Sequence, residues 1–144
     1  MAKTTTYSFT DTTVTFSHPA WGNLVANGSG LGNIAITMTT DRTAHDVSAD
    51  GSVMVSKIAG RNGTIAVNVQ QTSLVAKRLT ALFNYLVAAP AEQWAQLSIT
   101  INNSLAPDAI TATGVAPQKQ ADKQFQAAGQ QVTWNLMAAD IQQD

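Results

Sequence analysis

Four stretches of this chain alternate apolar and polar residues with a period of two. Ile34, Ile36 and Met38 alternate with Asn33, Ala35, Thr37 and Thr39, and Ile65, Val67 and Val69 with Thr64, Ala66, Asn68 and Gln70. Leu97, Ile99 and Ile101 alternate with Ser98, Thr100 and Asn102, and Val132, Trp134 and Leu136 with Gln131, Thr133 and Asn135. Successive side chains of an extended strand point to opposite faces, so each stretch reads as a strand with one buried face. A helix would scatter the same residues around its circumference.

Weaker strand signals fill much of the rest. Between Thr6 and Ser17 the apolar parity switches from Tyr7 and Phe9 to Val14 and Phe16, which predicts a bulge or break near Asp11. Val53 to Ile58 mixes parities, as expected of a strand covered on both faces or lying in an arm. Ile110 to Val115 is a weak strand, Gly22 to Gly32 a turn region with a short strand at Leu24–Ala26, and Gln118 to Gly129 a polar loop. One helix is expected, over residues 73–88, because Val75, Leu79, Leu82, Phe83, Leu86 and Val87 share a helical face. Thr72 or Ser73 supplies its N-cap and Pro90 closes it, with room for one further turn up to Trp94. The sum is a single mostly-β domain over residues 1–144, a sandwich or a small barrel with one flanking helix.

Composition narrows the function classes. Of the 144 residues only 12% are charged, about half the usual share of about 25%. Thr, Gln, Asn, Ser and Ala stand where a typical monomer carries Lys and Glu, a surface suited to being covered by copies of itself. The net charge of −1 gives no general pull towards nucleic acid or membrane. Without cysteine there is no disulfide scaffold, thiolate zinc site or cysteine nucleophile. No apolar run marks a signal peptide or a membrane span, so folding in a cytosol is the expectation.

The sparse charge is concentrated. Six of the 17 charged residues, Asp41, Arg42, Asp46, Asp50, Lys57 and Arg61, fall between Asp41 and Gln71. The same stretch holds two tight-turn signals, Asp50-Gly51 and Asn62-Gly63. An acidic group precedes the strand Val53–Ile58 and a basic group follows. In a head-to-tail stack, such an arrangement lets one copy meet the next, closing rings or extending filaments. A solvated loop is the plainer account. Edge strands of a threonine-rich β domain can also pair with neighbouring copies.

Catalytic and ligand readings fare poorly. His45, Asp46 and Asp50 are too few for a metal site, since His18 is the only other histidine. Ser48 or Ser52 near His45 lacks a nucleophile elbow. Gly28-Ser29-Gly30-Leu31-Gly32 matches no phosphate-cradling motif and reads as a turn. Trp21, Trp94 and Trp134 could build a sugar-stacking platform, so a carbohydrate-binding β-sandwich stands as the alternative; core packing accounts better for Trp94 and Trp134.

Several segments then resemble a known family. Asp41-Arg42-Thr43, His45-Asp46-Val47, Asp50 to Ile58, Gly60 to Thr64, Tyr7-Ser8-Phe9, His18-Pro19 and Phe83-Asn84-Tyr85-Leu86 are similar to tail-tube proteins of contractile-tailed bacteriophages, most densely over residues 41–72. The resemblance implies two packed antiparallel sheets with a flanking helix, shared with the type VI secretion needle tube. It implies six-membered rings stacked into a tube inside a contractile sheath, with baseplate, initiator and tape-measure proteins as further partners. DNA would pass through the lumen without specific binding. It implies a virion component assembled in the host cytoplasm, with no enzymatic activity and no cofactor. Asp41, Arg42, His45, Asp46, Asp50, Lys57 and Arg61 are the expected ring-stacking residues, and Asp46→Lys or Arg61→Glu is expected to block tube growth while leaving the monomer folded.

Overall fold

The computed structural model describes residues 4, 6–27, 30–103 and 109–143. Its strands are β1 (Thr12–His18), β2 (Gly22–Asn27), β3 (Leu31–Met38), β4 (Thr43–Val47), β5 (Val53–Lys57), β6 (Gly63–Gln70), β7 (Leu97–Asn103), β8 (Ala109–Pro117) and β9 (Gln131–Gln143). The helix α1 (Leu74–Ala88) lies between β6 and β7. The strands form two antiparallel sheets, a seven-stranded one ordered β2-β1-β7-β8-β9-β6-β3 and the two-stranded β4-β5.

The seven-stranded sheet is bent back on itself. Its outermost strands, β2 and β3, are joined by only three residues. Three residues span at most about 14 Å, whereas the edges of a flat seven-stranded sheet lie about 29 Å apart. The sheet must therefore curl, which brings its two halves face to face. One face of every strand then meets a single core. Val14, Phe16, Ile65, Val67, Val69, Ile99, Ala112 and Val115 are fully buried, with Trp134 almost so. The four clear alternations all place their apolar parity inward, least completely at the edge, where Met38 is largely exposed.

The helix covers the remaining opening. Val75, Ala76, Leu79, Leu82 and Leu86 are its buried stripe. Ser73 caps it, its Oγ accepting from the Ala76 N–H at 3.2 Å, which satisfies one of the orphan donors of the first turn. A 3₁₀ turn at Ala91–Gln93 follows, as expected from Pro90. Gly30, at φ +76°, sits against this cap; a Cβ there would fall 2.3 Å from the Ser73 Cβ. Gly28 and Ser29, the other part of the expected glycine turn, lie outside the described residues.

The break expected near Asp11 is a 3₁₀ turn at Phe9–Asp11. Buried Asn103 holds it by donating to the Ser8 carbonyl at 2.9 Å and to the Thr12 Oγ1 at 2.8 Å. The weak strand around Ile110 to Val115 is longer than expected, and a bulge at Gly114 (φ +64°) interrupts its parity. Asn62-Gly63 requires a correction, because it is not a turn. Asn62 closes the neck of the β4–β5 arm, accepting from the Thr39 N–H at 3.0 Å, and Gly63 begins β6. Glycine is needed at Gly63 for close approach, since a Cβ would fall 2.4 Å from the Thr37 carbonyl oxygen.

Candidate assembly surface

The β4–β5 hairpin differs from the rest of the chain in being exposed at every residue. The mixed parity of Val53 to Ile58 is thus that of an arm. Its turn is built by Asp50. The Ser48 amide donates to the Ser52 carbonyl at 2.8 Å and the Gly51 amide to the Ser48 carbonyl at 3.0 Å, with Gly51 at φ +89°. The Asp50 carboxylate accepts from the Ser48 Oγ at 2.5 Å and the Ser52 N–H at 2.9 Å. These bonds, led by that from Ser48, lower its pKa from 3.8 to about 2. At the root, the Ile58 N–H donates to the Arg42 carbonyl at 3.0 Å, and the Arg42 Nε donates to the Ile58 carbonyl at 2.7 Å.

Register sorts the expected stacking residues. His45 pairs with Val55, Val47 with Val53 and Thr43 with Lys57, so these six share one face. Asp46 pairs with Met54 on the other face. His45 and Asp46 therefore point apart and cannot close on one metal ion. Asp41 and Arg42 lie at the root, Asp50 at the tip. Arg61 is engaged within its own chain, its Nε 2.8 Å from the Asp140 carboxylate, while its carbonyl accepts from the Ile141 N–H at 2.7 Å. Val47, Val53, Met54 and Val55 are all large exposed apolar residues. The arm thus presents acidic, basic and apolar groups with no core beneath it.

A second surface escaped the sequence reading. The outward faces of β3, β6 and β9 align as rows: Asn33, Asn68 and Thr133; Ala35, Ala66 and Asn135; Thr37, Thr64 and Met137. The Thr133 Oγ1 donates to the Asn68 Oδ1 across the sheet. These nine residues carry no ionisable group, although each strand's polar parity had been legible.

The tryptophans offer no sugar platform. Trp134 is buried against Phe83, Trp94 packs edge-on to Phe83 at 6.3 Å, and the Arg78 guanidinium stands 5.1 Å over the Trp21 ring.

The same fold occurs in a chain of the six-fold symmetrised anti-feeding prophage baseplate, at TM-score 0.65 and 15% identity over 98% of this chain and 97% of that one. It occurs in the sheath/tube terminator of an extracellular contractile injection system in its extended state, at 0.63 and 12% over 99% of both chains. The tube-terminating cap of the anti-feeding prophage matches at 0.63 and 10%, over 100% of this chain and 94% of that chain. No curated protein matches in sequence.

The family model of the bacteriophage PhiTE tail tube protein matches residues 4–144, and the chain belongs to that family. Its role is that of a tail-tube structural protein, and the family is not enzymatic.

Proposed function

We propose that this chain is the repeating subunit of a hollow phage tail tube. Six copies close into a ring, and rings stack head to tail inside a sheath on a baseplate, with DNA passing through the lumen. The particle is assembled in the host cytoplasm around a tape-measure protein. The observation that carries this reading is the wholly exposed β4–β5 arm, an extended element whose apolar residues have nothing of their own chain to cover them. Six-fold closure is supported by the six-fold symmetry of the baseplate that shares the fold. The uncharged rows of β3, β6 and β9 suit a lumen lining, because Lys or Arg there would bind phosphate and retard the passing strand.

In this arrangement Asp41, Arg42, His45, Asp46, Asp50 and Lys57 contact the next ring, and Arg61 with Asp140 fixes the arm's root. Electron microscopy of the concentrated protein, with light scattering for mass, tests the reading. Hollow tubes of uniform width are expected, and Asp46→Lys should leave folded subunits without long tubes. A protein that stays monomeric even with its baseplate proteins present overturns the proposal.

A further inference from the structure

The arm needs a receptor, and the opposite end of the sheet holds a groove with complementary chemistry. The arm leaves the chain where β3 ends and β6 begins, at the Met38–Gly63 pair. At the far end of the same strands, where Gln70 pairs with Gln131, lies a groove of about 430 Å³. Eight residues of β6 separate the two, roughly 26 Å at the rise of a strand.

Two cations stand over this groove, Lys77 from α1 and Lys123 from the loop between β8 and β9. Neither has an ion-pair partner among the described residues, whereas Arg61 is paired with Asp140 and Lys119 with Asp122. The lining contains no carboxylate; Thr72, Ser73 and Thr80 supply hydroxyls, and Val132 and Trp134 an apolar component. Gln71 holds the loop that carries Lys123 in place. Its Nε2 donates to the Gln124 carbonyl at 3.0 Å, and its backbone N–H donates to the Gln130 carbonyl at 3.0 Å.

Trp134 is buried, yet its Nε1–H has no acceptor among the described residues. A buried donor left unpaired costs about 1–3 kcal/mol, so native structures pair such groups or keep them for a ligand.

We propose that the groove formed by Lys77, Lys123, Thr72, Thr80 and Trp134 is the receptor for the acidic end of the β4–β5 arm of a second copy. The inference rests on the tube reading and adds its receptor. Charge complementarity carries it: Asp46 and Asp50 at the arm's outer end face two unpaired lysines, and donor and receptor lie at opposite ends of one subunit. A contact of that geometry is heterologous and continues indefinitely along an axis, as stacking requires.

The chain has no cysteine, so Val47→Cys with Thr72→Cys introduces the only two thiols while leaving Asp46, Asp50, Lys77 and Lys123 in place. Within one subunit the length of β6 separates the arm's root from the groove. Oxidation of assembled tubes should give a ladder of covalent multimers, absent with either single substitution. Tubes that form but give no ladder overturn the receptor while leaving the tube reading intact. Failure of the unaltered chain to form tubes overturns both. Independently, Lys77→Glu with Lys123→Glu should raise the concentration threshold for assembly at least tenfold, and adding Asp46→Lys should recover part of it. An unchanged threshold, or normal tubes that no longer acquire a sheath, assigns the groove to another occupant and refutes the proposal.

Discussion

The β6–β9 pair and the β4–β5 pair are the same local structure with opposite fates. Both are antiparallel ladders with apolar residues facing each other across the strands: Ile65 and Leu136, Val67 and Trp134, Val69 and Val132 in one, Val47 and Val53 in the other. The first is sealed under α1 and the opposing half of the sheet. The second has water on both sides. Cross-strand pairing adds only about 0.2–1 kcal/mol per pair, and an isolated hairpin is marginal in water. The layer beneath a ladder, not the ladder, is what stabilises it. A chain that projects a bare hairpin has left that layer to be supplied from outside.

The widest separation between the two regions should appear on truncation. Trp134→Ala removes a buried aromatic and is expected to lower stability by about 3–5 kcal/mol. Val55→Ala in the arm should cost under about 0.5 kcal/mol. Urea unfolding followed by circular dichroism measures both, and equal losses would mean the arm belongs to the core. Next comes the junction of the two regions. Gly63→Ala forces a Cβ onto the Thr37 carbonyl and should cost about 1–3 kcal/mol in the same titration. Ser73→Ala removes the α1 cap and should cost about 1 kcal/mol, with thermal unfolding shifted accordingly.

The smallest effect belongs to the arm's tip. Asp50 has a folded pKa of about 2, below its ordinary 3.8. Its ionised form therefore supports the turn above about pH 3.8, and that support is lost as pH falls through about 2. Protection of the Gly51 and Ser52 amides, measured against their intrinsic exchange rates, should fall across that window. Asp50→Asn should exchange fast throughout, and a variant with wild-type pH dependence would show that another group holds the turn.

The same contrast explains what the sequence disclosed. The four clean alternations were legible because one face of each strand is buried, and burial selects residues by parity. The helix was legible for the equivalent reason, with its cap narrowed to Thr72 or Ser73, although Val87, expected on its buried face, is exposed. Strand β4, Thr-Ala-His-Asp-Val, carries no alternation because neither face is buried, so its charges read only as a loop beside a hairpin. Asn62-Gly63 misled because close approach and a tight turn both select glycine, and only the Thr37 carbonyl distinguishes them. The shift of parity at Gly114 weakened the signal of β8. Lys77, Lys123 and Trp134 come from three distant segments, and nothing local links them; an orphaned indole N–H is visible only once the core is assembled.

The bend of the seven-stranded sheet has a consequence of its own. Because three residues join its two outermost strands, β2 and β3 cannot drift far apart at that end. The subunit therefore resists splaying under lateral load much as a hooped stave does, with the tie at one rim. A load along the strands instead falls on ladders sheared lengthwise, all their bonds sharing it at once. Such a body is stiffest along its strands.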